Sequence, residues 1–360
     1  MNQLPSPLLL IGVGGAGSAM VRNIQRAYGP GLRALTIDTD ADSGRYGDIP
    51  FTLLGGNRLN GRGTGGQPSA ARAAFQDNPA LLDPALTSVR TAVIVTGLGG
   101  GTGGGATGEL LKHLHTLGIT TLLFATLPFN FEGEERQKTA RASAGPVEQH
   151  ADVSVFLPLD ELVAGTDNMR EALARGIETL ASGVTLLWRL LEKPGYIRLD
   201  AERLRTVLSR CGRGFFATAV AQGEDRDAAI LTALAESPLL KRRDGETPVR
   251  SILVGVLAGD DLRLSEIGGL VGGLAAVYGP DVAIELGTVN DESVFSGRLA
   301  VVILVFEEGS AVPQPKQTRL TSGSRALSSN TRFTNAERTL WHDEDLDVPT
   351  YLRRNLTLDR

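Results

Sequence analysis

The sequence predicts an α/β fold, a Rossmann-like doubly wound parallel sheet followed by a long central helix and a second, smaller α/β domain. Three observations lead there. Unbroken apolar runs rich in β-branched residues recur along the first half of the chain, as strands buried on both faces require. Glycine-rich turns and helical patterns alternate with them, the βαβα rhythm of a parallel sheet whose ligand sits at the carboxyl ends of its strands. Finally, one continuous apolar stripe at helical spacing, about residues 168–191, separates that half from a segment of different texture.

Taken in order, residues 7–13 read as the first strand, closed by GVGGAG, with a helix from about 18 to 28 carrying Met20, Ile24 and Ala27 on one face. LRALTIDTD (32–40) is a second strand ending in two carboxylates, Asp38 and Asp40. A short strand near Phe51 leads to a second glycine-rich loop, LNGRGTGGQPSAARAA, whose serine and alanines open a helix. TAVIVT (91–96) is the central strand, and it runs into TGLGGGTGGG, seven glycines in ten residues. Leu110, Leu111, Leu114 and Leu117 then mark a helix. ITTLLFATLPFNFEGEERQ supplies a buried strand, a loop and a charged helix, and VSVFLPLDELV one more strand and turn.

The long helix carries Leu173, Ile177, Leu180, Val184, Leu187 and Leu191 every three or four residues and is stopped at Pro194 and Gly195. Beyond it come a short strand, a loop and a helix in YIRLDAERLRTVLS, a helix over 228–235, three further strands and a helix over 264–278. The domain division expected is 1–167 (nucleotide-binding), 168–196 (central helix), 197–306 (second α/β domain), 307–344 (linker) and 345–360 (docking peptide). The linker is rich in Ser, Thr, Pro and Asn and too poor in aliphatic residues to offset chain entropy, so disorder is expected there.

Composition narrows the function. With 42% hydrophobic and 21% charged residues the 360-residue chain reads as soluble and globular, and a net charge of -5 argues against coating nucleic acid. A single Cys211 excludes an internal disulfide framework, so a reducing, cytoplasmic compartment is expected. No run approaches the ~18–20 apolar residues of a membrane span, LLLIGV is too short for a signal peptide, and four His with one Cys form no zinc-type cluster.

Glycine at a strand tip lets main-chain N–H groups approach an anion, and the N-terminus of the following helix adds partial positive charge. TGLGGGTGGG therefore reads as a phosphate cradle, with a tight βα turn as the structural alternative. GVGGAG alone fits the dinucleotide fingerprint, with Asp38 placed as a ribose-binding acid. That reading explains one glycine loop and leaves two. No GK[ST] closes any of them, so a P-loop is excluded. Three cradles around one crevice suit a mononucleotide with several phosphates.

The ordered series GVGGAGSA, DTDA, GRGTGGQP, GLGGGTGGGAT, PFNFEGEER, PGYIRLD with RTVL, SPLL, DLRLSEI, GRLAVVILV and the terminal DLDVPTYLRR resembles the tubulin/FtsZ family, and within it the bacterial FtsZ branch. It covers about residues 7–306 plus the tail. The resemblance implies the tubulin/FtsZ fold with a GTPase domain, and GTP or GDP held with Mg²⁺. It places nucleotide contacts at Gly14, Gly15, Ala16, Gly17, Ser18, Ala19, Asp40, Gly65, Gly66, Gly99, Gly100, Gly101, Thr102 and Gly103. Glu132 falls at the ribose, Arg136 at the nucleotide and Ile177 at the base; no metal ligand is assigned to the protein itself. It further implies head-to-tail filaments for bacterial cell division, alone or with another FtsZ, and hydrolysis at the subunit interface by Asp200. The tail peptide from Asp345 to Arg354 matches the one that binds membrane-tether proteins, so the protein is expected in the cytoplasm, at the division site, without inserting into the membrane.

Two of these readings have competitors in the residues themselves. Asp200 also fits the N-cap of a helix beginning near Ala201, and Glu132 with Arg136 also fits a solvated ion pair. The sequence further departs from the family pattern. Arg198 and Arg203 stand where the family has an amide and a second acid, and arginine is a poor water-polarising base. Leu159, Ile177 and Leu173 stand where the family reads or stacks on guanine, Ala19 replaces an Asn and Gly104 a Thr. Glu178, one residue along from Ile177, is turned about 100° away. The expectation is a weak, polymer-dependent GTPase. The alternatives are a structural or regulatory FtsZ-like partner without turnover and, more remotely, a dinucleotide-dependent oxidoreductase.

Overall fold

The computed structural model describes residues 7–29, 31–45, 48–162, 168–193, 195–199, 201–208, 212–241, 243, 247–307, 340–341 and 344–345. The chain opens with β1 (Leu8–Val13), α1 (Gly14–Tyr28), β2 (Ala34–Asp38), β3 (Phe51–Leu53), α2 (Gly56–Leu59), α3 (Pro68–Gln76) and α4 (Asp83–Leu86). It continues through β4 (Thr91–Gly97), α5 (Gly101–Thr116), β5 (Thr120–Leu127), α6 (Glu134–His150), β6 (Val153–Pro158) and the long α7 (Met169–Glu192). The remainder is α8 (Ala201–Leu208), β7 (Gly212–Gln222), α9 (Arg226–Glu236), α10 (Pro238–Lys241), β8 (Val249–Ala258), α11 (Leu264–Tyr278), β9 (Ala283–Asn290), α12 (Glu292–Phe295) and β10 (Arg298–Glu307).

These ten strands form one sheet in the order β3-β2-β1-β4-β5-β6-β7-β10-β8-β9. From β3 to β6 every pairing is parallel, as the unbroken apolar strands require. β6 and β7 touch through only two residue pairs, and β10 then lies antiparallel to both β7 and β8. The boundary expected at 197 falls in the crossover between β6 and β7, and residues 1–312 cluster as one compact unit. β1, β4 and β5 are almost wholly buried, covered by α1 and α7 on one face and by α3, α5 and α6 on the other. α7 earns its place through Leu180, Val184, Leu187 and Trp188, all at most 1% exposed, which pack on both halves of the sheet. α9 and α11 cover the outer face of β7, β8 and β10.

Helix boundaries carry the main departures from the sequence reading. α1 starts at Gly14 rather than near 18, and its buried face is Met20, Val21 and Ile24, with Ala27 exposed. α5 starts at Gly101, so half of TGLGGGTGGG is helix. Leu117 is the C-cap of that helix and lies 46% exposed, whereas Leu110, Leu111 and Leu114 are fully buried. Glu307, assigned to the linker, is the last residue of β10: it is 7% exposed and accepts a 2.9 Å hydrogen bond from Arg243. In the separate unit 313–360, Leu340–Trp341 pairs antiparallel with Glu344–Asp345. The rest of the linker and docking peptide lies outside the described residues.

Candidate functional site

A cleft of about 490 Å³ opens over the carboxyl ends of β1, β2, β4, β5 and β6. Its floor comes from the first turn of α1. Gly14 takes φ +74°, a conformation that favours glycine, and Gly14, Gly15 and Ala16 line the cleft. Gly17, Ser18 and Ala19, expected beside them, do not. A Cβ on Gly17 would lie 2.5 Å from the Val95 carbonyl oxygen, so this glycine lets α1 approach β4. Ser18 is fully buried, and its hydroxyl has no hydrogen-bond partner within the protein. Ala19 contributes its carbonyl to Asn23.

The β2 tip forms one side. Asp38, 3% exposed, accepts hydrogen bonds from the Thr39 N–H at 2.7 Å and the Ser43 hydroxyl at 2.6 Å. Asp38 also lines the cleft, with these two bonds holding its carboxylate to the turn. Asp40 lines the cleft and bridges through its backbone to Arg62 of the second glycine loop. Gly65 and Gly66, at φ +60° and +83°, close that loop over the cleft. Thr39 and Thr102 share a 2.7 Å hydroxyl hydrogen bond, which ties the β2 tip to the first turn of α5.

The β4–α5 junction points a helix N-terminus into the cleft. Gly99, Gly100, Gly101, Thr102 and Gly103 all line it. The first intrahelical bond of α5 runs from the Gly104 N–H to the Gly100 carbonyl at 3.0 Å, so the N–H groups before it fall among the orphan donors of a helix start. These donors and the helix dipole make the junction an anion site. The glycines serve packing as much as ligand access. A Cβ would come within 2.0 Å of Thr64 Oγ1 at Gly101, 2.1 Å of the Gly97 oxygen at Gly103, and 2.0 Å of the Pro68 oxygen at Gly105. At Gly104 it would meet Ser143 Oγ of α6 at 2.7 Å, which is why the threonine of the family pattern has no room here.

On the opposite side, Glu132 accepts from the Phe129 N–H at 2.9 Å and from Arg136, and both side chains line the cleft. Gln137 donates to the Pro128 carbonyl at 2.9 Å and fixes the same turn. Leu159, just past β6, and Ile177 of α7 complete the wall with Met20. Two features went unmarked in the sequence. Arg62 is the second cation of the cleft lining beside Arg136, although it stands in plain view within GRGTGGQP, and the Thr39–Thr102 clasp leaves no local sequence signal. Asp200 lies outside the described residues. Nearby, Arg198 is exposed, and Arg203 is held by Glu285 of β9 through a 2.9 Å Nε hydrogen bond and a second contact. Among the described residues, no helix is long and apolar enough to cross a membrane.

Residues 7–167 match the model of the tubulin/FtsZ family GTPase domain. The cell division protein FtsZ of Buchnera aphidicola subsp. Acyrthosiphon pisum is 30% identical over 286 residues, 78% of this chain and 74% of that protein. FtsZ of Pseudomonas putida is 28% identical over 362 residues, 98% of this chain and 90% of the relative. Among solved structures, an empty FtsZ dimer from M. jannaschii superposes with a TM-score of 0.78 at 26% identity, covering 85% of this chain and 89% of that one. A CetZ2 protofilament from Haloferax volcanii shares the fold at TM-score 0.70 and 22% identity, over 85% and 95% of the two chains.

Proposed function

The chain belongs to the tubulin/FtsZ family, and from that premise we propose that it binds GTP and GDP in this cleft and assembles head to tail into filaments for cell division. In this reading residues 1–167 are the nucleotide-binding half and 197–306 the activation-type half. The observation that carries it is the convergence of three glycine-rich turns and the α5 N-terminus on one cleft, with Arg62 and Arg136 as its cations. The β- and γ-phosphates would take the free N–H groups of the α1 and α5 first turns, and Glu132 the ribose. Mg²⁺ would enter on the phosphate oxygens, since among the described residues no group of three or more His, Cys, Asp or Glu could hold an ion.

Hydrolysis in this reading belongs to Asp200, brought against the next subunit's nucleotide, and it is weak. The Arg203 charge is absorbed by Glu285, but Arg198, two residues before the acid in sequence, stays exposed, and a guanidinium does not accept a proton from water. The same observation favours a second reading, in which the filament forms without turnover. Phosphate release and pelletable polymer, measured together with Mg²⁺ and GTP, separate the two. Turnover that rises with protein concentration and disappears in Asp200→Ala is the expected result; polymer without phosphate release would establish the second. Protein that binds no triphosphate would end both.

The tail peptide is proposed to dock on membrane-tether proteins and to bring the filament to the division site. Deleting residues 345–360 is expected to abolish that binding while the core melts as before. Retained binding would place the docking surface elsewhere.

A further inference from the structure

We propose that the cleft accepts nucleoside triphosphates with little regard to the base, so that ATP competes with GTP on near-equal terms. This rests on the reading that a nucleotide occupies the cleft. The anion-binding first turns follow β1 and β4, in the middle of the sheet, so a base can extend either toward β2 or toward β6.

The β2 side of the cleft is polar, lined by Asp38, Asp40, Ser43 and Arg62. Asp38 is buried with its oxygens engaged, Asp40 is bridged to Arg62, and Thr39 is clasped to Thr102. Leu159 lies four strands from that tip, about 19 Å away at roughly 4.8 Å per strand. The apolar part of the lining lies toward β6, where Met20, Ile177 and Leu159 face the cleft beside Thr126, Pro128 and the paired Glu132 and Arg136, and the base is placed there. Leu159 is braced against α7, since a Cβ on Gly176 would sit 3.1 Å from its Cδ2.

Guanine can be distinguished from adenine only by what accepts its N1–H and exocyclic N–H groups, or donates to its O6. Met20, Leu159 and Ile177 do neither; they offer both rings the same apolar contact, and the Thr126 hydroxyl is donated to the Thr96 carbonyl. Asp160 and Glu161, beside Leu159, do not line the cleft. Both Asp160 oxygens face the Asn130 N–H, at 3.0 and 3.4 Å, and Glu132, paired with Arg136, is the residue placed at the ribose. Glu178 is exposed and does not line the cleft. Sites that hydrogen-bond a distinguishing group reject the analogue lacking it by about 10⁴-fold or more, whereas apolar pockets discriminate by about 10²-fold at most. Binding strength here comes from the phosphate end, which all nucleoside triphosphates share.

The test is displacement of labelled GTP from the full-length protein by unlabelled GTP, ATP and inorganic triphosphate, each with Mg²⁺. ATP and GTP are expected to compete within about tenfold of each other, and Ile177→Asp to shift the ratio toward GTP by at least tenfold, because its carboxylate would accept both guanine N–H groups and oppose the lone pair of adenine N1. Wild-type protein that prefers GTP by more than tenfold overturns the proposal while leaving the nucleotide reading intact. If labelled GTP does not bind at all, the reading beneath it falls. The wild-type comparison stands whether or not Ile177→Asp folds.

Discussion

Gly103→Ala is expected to weaken triphosphate binding by at least a hundredfold and to lower the stability of the fold by about 1–3 kcal/mol, the usual cost of overpacking. The new methyl carbon would fall 2.1 Å from the Gly97 carbonyl oxygen and 2.7 Å from Thr96 Oγ1. Both are the end of β4, where Thr96 is paired by β1 and β5 and Gly97 by β5, so they resist displacement. The α5 N-terminus must move instead, by roughly 1 Å, and it carries the N–H groups of the cradle with it. Losing one preorganised donor to a developing anion costs about 10²–10³ in enzymes, and here several donors on the same turn are displaced together. Gly100→Ala is the control. That residue sits at φ -104°, ψ 170°, open to any amino acid, and its Cβ would meet nothing within 4 Å. It should melt as the wild type does, so thermal unfolding and GTP titration on the pair separate packing from ligand contact. Equal affinity in Gly103→Ala and the wild type would refute the cradle.

The same glycines show how far the sequence could be read. The parallel half was legible because β1, β4 and β5 are buried on both faces and say so in unbroken apolar runs. α7 was legible from its stripe almost to the residue. TGLGGGTGGG was legible as a site but not as a structure. Counting glycines suggested a bare loop, whereas Gly101, Gly103 and Gly105 are helical and small because Thr64, Gly97 and Pro68 press on them. Contacts of that kind join residues tens of positions apart and leave no periodicity behind. The setting of Asp38 was hidden for a related reason. Its spacing fits a ribose acid, but its oxygens are taken by the turn it starts, and only the geometry of Thr39 and Ser43 reveals this. Glu307 was read as the start of a polar linker because composition averages over neighbours, while its partner Arg243 lies 64 residues away.

Arg226→Met is expected to destabilise the outer layer of the sheet by about 3–5 kcal/mol, the cost of leaving one member of a buried ion pair alone. The Arg226 side chain is 4% exposed and that of Glu266 5%. The guanidinium grips Glu266 in a fork, Nε to Oε1 at 2.6 Å and Nη2 to Oε2 at 3.1 Å, while Nη1 reaches Asp261 at 2.7 Å. One side chain thus joins α9 to α11 and to the turn before it. Burial pushes the Glu266 carboxyl up, but the Arg226 hydrogen bonds and the Arg263 N–H outweigh it and hold the group below its ordinary value. A depressed carboxyl contributes stability above its unfolded pKa, about 4.3, and loses it as pH falls through the lower folded value. The wild type therefore keeps this increment down to about pH 4. In Arg226→Met burial acts unopposed by the guanidinium, the carboxyl rises, and protonation relieves the penalty. The gap between the two proteins in denaturant unfolding should accordingly narrow from pH 7 to pH 4.5. Replacing both partners, Arg226→Met with Glu266→Leu, should recover most of the loss, because a buried pair exchanged for apolar side chains is often neutral. A gap that stays constant with pH, or a double variant no better than the single, would show that the clasp acts through packing of the arginine stem and not through its charge.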